Sequence, residues 1–264
     1  MPSTYAHYRF GARLLERLPE AQRGMLMRRR ALYDIGQHGP DILFYHHPLK
    51  SDPIRRMGSA MHERPGREFF ARAVEILRKL EGEERLRAET YVLGFAAHFA
   101  LDSACHPYVE QRVRETGITH TEIEVEFDRR LMAADGCPER CPIEHIVASE
   151  DNAMTIAPFF EGVSPPQIAF ALRSMRRYGR LLDTRWPWLR WTIRTVTAKL
   201  DSSGELPGWM ATGHQPACDE TCEGLSERFE RGLRLAETLF VEFDAVLSGD
   251  GTLNPAYDAT FGAE

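Results

Sequence analysis

The chain has 264 residues, of which 43% are hydrophobic and 27% charged, an ordinary composition for a soluble globular protein with a sizeable core. The formal net charge of −6 at pH 7 argues against a general nucleic-acid binder. The first residues contain no apolar signal-peptide region, and no stretch approaches the roughly 20 apolar residues that span a bilayer. A cytoplasmic protein without a transmembrane segment is therefore expected.

Helical patterns dominate the chain from one end to the other, and no alternating strand pattern of useful length is present. We expect a loop at about 36–58, where Gly-Pro and Asp-Pro turn signals occur. Predicted helices cover about residues 4–18, 67–80, 84–105, 121–134, 143–160, 166–182 and 223–247. This pattern predicts an all-α, multi-helix bundle forming one domain over 1–264, with the chemical motifs in 1–135 and a helical part without a usable motif in 136–264.

Two histidine–carboxylate pairs are the strongest candidates for a functional site in this sequence. His98 and Asp102 are four residues apart in an Ala- and Leu-rich helical stretch, so they share one helix face, which His106 continues if the helix holds for one more turn. His120 and Glu124 repeat the spacing on the next predicted helix. Imidazole nitrogens and carboxylate oxygens in this mixture suit zinc. An unpaired carboxylate on an apolar helix face would be costly, so the pattern favours a metal site over satisfied core histidines.

Histidines are also concentrated upstream of these pairs, since only two of the ten fall after His120. Taken in order, His7, the Gly-Pro-Asp41 turn, His62 and the two pairs resemble the zinc-dependent phospholipase C family, and in particular its signal-less bacterial branch. The P1-type nucleases share that fold. The resemblance implies an all-α protein that holds two to three zinc ions in a cleft, and it covers roughly the first half of the chain.

The resemblance also assigns roles to individual residues. One zinc would be held by His62, His98 and Asp102, and another by His106, His120 and Glu124. Asp102 would bridge to a further zinc that is also bound by His7 and the N-terminal amine. Asp41 would border the first site, both as a ligand and as the general base.

The N-terminus departs from the secreted relatives, which begin with a zinc-chelating tryptophan. Here Pro2 follows the initiator methionine, and removal of that methionine would leave Pro2 five residues before His7. This is the spacing between the N-terminal ligand and the histidine in the P1-type nucleases. We therefore expect the Pro2 nitrogen to serve as a zinc ligand together with His7.

Three functions are compatible with these residues. The leading hypothesis is a phospholipase C-like phosphoric-diester hydrolase that uses zinc-activated water, with a phospholipid head group as one candidate substrate and transient contact with a membrane surface. A P1-type nuclease or nucleotidase would need aromatic platforms for bases, for which Phe44, Tyr45 and Tyr108 are candidates. No stable nucleic-acid partner is expected, given the acidic charge. A zinc-binding protein without turnover is the third possibility.

Other conspicuous residues are expected to be structural. Five cysteines include two C-x-x-x-C pairs, Cys137 with Cys141 and Cys218 with Cys222, which favour reduced thiols over a structural zinc site. Three tryptophans within 185–191 are expected to pack in the bundle, although a membrane-interface edge is an alternative. Solvated positions are expected for His145, His214, Glu122 and Glu126. They are also expected for three loop histidines near Asp41, for which contact with phosphate or with the zinc ligands is the alternative: His38, His46 and His47.

Overall fold

The computed structural model describes residues 4–48, 50–137, 144–182 and 213–262. Within these ranges the protein is all-α, as predicted, and its only β-type pairing is an isolated bridge between Pro65 and Thr260. The helices are α1 (Thr4–Arg17), α2 (Glu20–Arg28), α3 (Arg30–Gly36), α4 (Pro53–His62), α5 (Gly66–Leu77), α6 (Gly82–Thr116), α7 (His120–Ala134), α8 (Glu150–Ile156), α9 (Pro165–Leu182) and α10 (Asp219–Ser248). Short 3₁₀ helices cover Gly39–Tyr45, Ala157–Phe159, Pro216–Cys218 and Pro255–Asp258. No helix in the described ranges is long and apolar enough to cross a membrane.

Helix α6 is the centre of the bundle. It runs for 35 residues and is buried almost continuously from Ala88 to Asp102, with α10 and α3 packed against it most extensively. Its apolar side chains join a cluster of aromatic rings, in which Phe69 of α5 stacks on Phe95 with a centroid separation of 3.7 Å. Each fully buried ring of this size stabilises the fold by about 1.5–3 kcal/mol relative to exposure. The helix that carries His98, Asp102 and His106 is therefore held in place by extensive packing.

Two glycines allow α3 and α6 to approach at backbone distance. A Cβ atom on Gly94 would lie 2.4 Å from the Tyr33 carbonyl oxygen, and one on Gly36 would lie 2.3 Å from the Tyr91 carbonyl oxygen. No side chain fits between the helices at this crossing. The approach fixes the end of α3, and with it the 3₁₀ helix that follows, against α6.

The predicted end of α6 was wrong. The helix was expected to end near Cys105, but α6 continues through Pro107 to Thr116 and ends at Gly117, whose φ is 72°. A proline inside a helix removes one backbone hydrogen bond and costs about 3 kcal/mol. Residues on both sides, Cys105 and Val109, are buried against neighbouring helices. Tertiary packing therefore outweighs the local cost, and His106 stays on the helix.

The predicted loop at 36–58 was also largely wrong. It contains the 3₁₀ helix Gly39–Tyr45 and the first residues of α4, whose N-terminus is capped by the Asp52 carboxylate. Helices α2 and α3 were not predicted, and the helix expected at 143–160 is reduced to the short α8, which begins after the Ser149 cap. These short elements lack the long apolar periodicity on which the prediction relied.

Several residues predicted to be solvated are buried. His38 is fully buried, and its Nε2 lies 2.8 Å from Nε2 of the half-buried His145, which stacks on Tyr8. Burial, together with the neighbouring histidines, lowers the pKa of His38 well below its usual value. His46 is also buried and pairs with Asp52 at 2.9 Å. The polar groups in this part of the chain are thus part of the interior.

Glu126 was likewise expected in solvent but is only 1% exposed. Its carboxylate accepts two hydrogen bonds from Arg129 and lies 2.9 Å from His214 Nδ1. Burial raises the pKa of Glu126, but these partners outweigh burial and lower it. His214 itself is exposed, as expected, although it is paired rather than free.

The cysteines in the described ranges, namely Cys105, Cys137, Cys218 and Cys222, are free thiols. Cys141, the tryptophans of 185–191 and Pro2 lie outside the described residues.

Candidate metal centre

His98 and Asp102 of α6 face the same side of the helix, where side chains from three other elements join them. Asp102 is central, because its Oδ1 lies 3.2 Å from His7 Nε2 of α1 and its Oδ2 lies 3.0 Å from His98 Nε2. His62, the last residue of α4, places Nε2 3.9 Å from Asp102 Oδ2 and 3.0 Å from Asp41 Oδ1. Apart from the half-buried His62, these residues are almost fully buried.

A second group of ligand atoms lies one helical turn further along α6. His106 Nε2 is 3.4 Å from Glu124 Oε1, and His120 Nε2 is 3.1 Å from the same oxygen. Thr119 and Glu122 form a capping box that fixes the first turn of α7, the turn that carries His120. His106 Nδ1 is also 3.8 Å from Asp102 Oδ2, so the two groups are neighbours.

Three sets of residues bring their ligand atoms within 4.8 Å of one another and could each hold a metal ion. The sets are His7 with Asp41 and His98, His62 with His98 and Asp102, and His106 with His120 and Glu124. Two of them match sets implied by the family resemblance. The third set differs from the implied one, in which His7 shares a zinc with Asp102. Here His7 is grouped with Asp41 and His98, although His7 Nε2 also lies 3.2 Å from Asp102 Oδ1.

Four of the five histidines share one arrangement. Each turns Nδ1 towards an oxygen atom outside the cluster, and these pairs are His62 with the Gly58 carbonyl (2.8 Å), His98 with the Gln37 carbonyl (3.2 Å), His106 with the Phe261 carbonyl (2.7 Å) and His120 with the Glu110 carboxylate (2.8 Å). A carbonyl oxygen only accepts, so Nδ1 must carry the hydrogen where the partner is a carbonyl. The neutral ring then presents a lone pair on Nε2, which is the form that binds a metal.

Unpaired buried atoms provide an independent test of whether a cation fits. His98 Nε2 and Asp41 Oδ1 are buried and make no hydrogen bond, although each lies about 3.0 Å from an atom of a neighbouring residue. Buried polar atoms without a partner are costly, and a cation between them would satisfy both the imidazole lone pair and the carboxylate. The donor set of imidazole and carboxylate groups fits zinc.

Electrostatics in this cluster is dominated by the carboxylates. Burial lowers the pKa of His106, but Asp102 and Glu124 outweigh burial and raise it to about 10. Burial raises the pKa of Glu124, yet His120 and His106 hold it well below its usual range. Glu124 is therefore ionised near neutral pH, and the raised pKa of His106 favours the protonated imidazole in the metal-free protein.

Asp128 fixes the start of α1 and was not recognised from the sequence. Its Oδ1 accepts from the Ala6 backbone N–H at 2.8 Å and its Oδ2 from that of Tyr5 at 3.1 Å. The two N–H groups belong to the first turn of α1, which also carries His7. Asp128 lies four residues after Glu124, so the same spacing that linked the ligand candidates could have identified it.

A small cavity of about 30 Å³ borders the cluster. Its polar lining comes from His7, Asp102, His106 and Glu124, and its remaining walls include Leu101, Val109, Phe127 and Leu225. A cavity of this size has room for water, and it marks where the candidate ligands meet apolar walls.

A further grouping, Glu126 with His214 and Asp219, also brings its ligand atoms within 4.8 Å of one another. The Arg129 guanidinium already binds both oxygens of Glu126. This grouping is explained as an ion-pair network between α7 and the start of α10.

The chain was compared with known proteins. Residues 6–164 match the family model described as zinc dependent phospholipase C. No curated protein and no solved structure matches the chain. The matched range contains every predicted site residue except Pro2, and it covers more than half of the 264 residues. The chain therefore belongs to the zinc-dependent phospholipase C family.

Proposed function

We propose that the protein is a zinc-dependent hydrolase of phosphoric diesters with phospholipase C-like chemistry. The observation that carries this proposal is the Asp41 carboxylate, which borders two of the three ligand groupings and has a buried oxygen without a hydrogen bond. A purely structural zinc site is normally closed by its ligands, whereas a carboxylate oxygen without a hydrogen bond beside the ligand set can also act on a water molecule. Family membership supports the choice of zinc.

Two to three zinc ions are proposed, held by the residues of the three groupings: His7, Asp41, His62, His98, Asp102, His106, His120 and Glu124. Zinc in these positions supplies Lewis acidity, which makes water nucleophilic near neutral pH and offsets the charge that develops on a phosphodiester. In this proposal Asp41 Oδ1 would orient the attacking water and accept its proton. The hydrogen bonds to Nδ1 hold the imidazoles in position throughout.

The substrate proposed is a phosphodiester with an apolar part, of which a phospholipid head group region is one example. The apolar surface that Leu101, Phe127 and Leu225 provide beside the candidate ligands supports this choice. Access to lipid would require transient contact with a membrane surface. Small soluble diesters share the same reacting group, so the substrate panel must separate them from lipid.

The nuclease alternative has less support. Tyr45 is buried, and the Arg228 guanidinium lies 3.6 Å from the centre of the Tyr108 ring. Phe44 stacks on His62 with a centroid separation of 5.5 Å. Burial and these contacts reduce the aromatic surface on which bases would have to stack. A zinc-binding protein without turnover remains the outcome that the kinetic test below would reveal.

The test combines metal analysis with a diester panel of bis-p-nitrophenyl phosphate, phosphatidylcholine vesicles and single-stranded nucleic acid. Asp41→Asn keeps one side-chain oxygen that can contact zinc, so the zinc content should stay nearly intact. Turnover should fall by about 10²-fold or more, the usual scale for a general base. The exposed carboxylate of Asp151 provides a matched control, since Asp151→Asn makes the same chemical change away from the metal centre. Equal turnover in wild type and Asp41→Asn would remove Asp41 from the mechanism. Zinc-loaded protein without turnover on any diester would favour the non-catalytic alternative.

A further inference from the structure

The chain segment after the last helix returns to the metal centre, although it lies far beyond the family-matched range of 6–164. This segment, residues 258–262, is attached to the start of α5 at three points. The Gly66 backbone N–H donates to the Ala259 carbonyl at 2.9 Å, Thr260 forms the isolated bridge with Pro65, and Asp258 pairs with Arg67. We call residues 258–262 the C-terminal clamp.

The clamp contacts three ligand histidines at once. The Phe261 carbonyl oxygen accepts from His106 Nδ1 at 2.7 Å, which fixes the tautomer that leaves Nε2 free. The Phe261 ring is 1% exposed, and its centroid lies 5.8 Å from that of His62 and 5.9 Å from that of His98. The ring also packs edge-on against Phe99 at 5.1 Å. One residue therefore orients one imidazole by a hydrogen bond and supports two others by contact.

Gly262 lets the clamp approach so closely. Its φ of +115° is a backbone conformation that side chains disfavour, and a Cβ atom there would lie 2.1 Å from the His106 Cβ. A distance below 3.0 Å to a rigid Cβ can be relieved only by moving the clamp or the helix. Since α6 is firmly packed, the clamp is the part that would move.

We propose that the C-terminal clamp is a positioning element of the metal centre, which sets zinc affinity by holding the imidazoles of His106, His62 and His98. The proposal rests on the zinc ligands of the proposed function but not on phosphodiester turnover. Outer hydrogen-bond partners of metal-binding histidines typically change metal affinity by about 10–100-fold. The clamp would supply this contribution to His106 through a backbone carbonyl, so no particular residue type marks it in the sequence.

The first test measures zinc affinity by competition with a chelator of known affinity, in wild type and in two alanine variants. Gly262→Ala should weaken at least one zinc by about 10-fold or more. Gly249→Ala is the matched control, because Gly249 also has a positive φ, of +89°, but no atom lies within 4 Å of the added Cβ. It should change affinity by less than about twofold, and circular dichroism should show both variants folded. Equal affinities in wild type and Gly262→Ala would overturn the proposal.

The second test needs no variant. Binding linkage is reciprocal, so if clamp docking strengthens zinc binding, zinc must strengthen clamp docking by the same factor. Hydrogen exchange of the Gly66 amide, which donates to Ala259, reports clamp opening in the wild-type protein. Exchange should be slower by about 10-fold or more when zinc is added to the metal-free protein.

The two tests separate the clamp from the proposed function. Unchanged Gly66 exchange on zinc loading would overturn the clamp even if the protein hydrolyses diesters. Slower exchange in a protein without diester turnover would support the clamp and contradict the catalytic proposal. Wild-type protein that binds no zinc at all would overturn both.

Discussion

Replacing Glu110 by alanine should weaken zinc binding at the His106, His120 and Glu124 grouping while leaving the fold intact. Glu110 is outside that grouping, but its Oε1 lies 2.8 Å from His120 Nδ1. A carboxylate in this position holds the imidazole in the metal-binding tautomer and increases its basicity. Without it, His120 can rotate on a partly exposed helix start, since its side chain is 31% exposed.

The magnitude follows from the exposure of the pair. Loss of such a partner costs about 10–100-fold in metal affinity, and the larger values belong to buried pairs. Glu110 is 40% exposed at its side chain, so water screens the interaction and the lower value applies. Glu110→Ala should therefore lose about 10-fold, or about 1.4 kcal/mol, in the affinity of one zinc. Glu110→Gln keeps the accepting oxygen and should lose only a few-fold.

The assay is a zinc titration with a competing chelator, accompanied by urea unfolding of the metal-free protein. Glu115→Ala is the control, because Glu115 lies on the same helix and pairs with Arg112 but contacts no ligand candidate. Both alanine variants should unfold within about 0.5 kcal/mol of wild type, as exposed substitutions usually do. The reasoning is refuted if Glu110→Ala binds zinc as tightly as wild type, or if Glu115→Ala loses as much.

Three further predictions concern protons, packing and the N-terminus. At pH 7 zinc binding should release at least about one proton, because neighbouring carboxylates raise the pKa of His106 to about 10 and zinc binds neutral imidazole. Calorimetry in buffers of different ionisation enthalpy measures the released protons. A binding enthalpy that does not depend on the buffer would contradict the prediction. Gly94→Ala should destabilise the protein by about 1–3 kcal/mol in urea unfolding, since the new Cβ would lie 2.4 Å from the Tyr33 carbonyl. Gly24→Ala, whose nearest atom is 3.9 Å away, should be neutral or slightly stabilising, and similar losses in both would count against the close approach. Intact-mass measurement should show a chain that begins at Pro2. An uncleaved N-terminal tag should then lower the zinc content by about one ion. Full zinc content in the tagged protein would exclude Pro2 as a ligand.

Helical spacing explains why part of the candidate metal centre could be predicted. Residues four apart on a helix share a face, so the grouping of His98, Asp102 and His106 could be predicted without knowledge of the tertiary structure. His7, Asp41 and His62 came from the family resemblance instead, because chain order alone does not show that three separate elements meet. The structure brings all of these residues to one place.

The parts that could not be predicted depend on backbone groups and on packing. Three of the four outer partners of the histidines are carbonyl oxygens, those of Gly58, Gln37 and Phe261, and every residue has a carbonyl. The C-terminal part was expected to contribute nothing recognisable, yet it contributes Phe261. The continuation of α6 through Pro107 was missed because local propensity does not include the burial of the flanking turns.

The α6 helix also determines how relatives of this protein can differ in length. The Cα atoms of His98, Asp102 and His106 span about 12 Å along the helix axis, because each residue of a helix advances by about 1.5 Å and turns by about 100°. Insertion of a single residue between Asp102 and His106 would rotate His106 by roughly that angle and carry it away from Glu124. Insertions and deletions among homologues should therefore be excluded from residues 98–106, whereas point substitutions at the outward-facing positions of the same stretch leave the alignment intact.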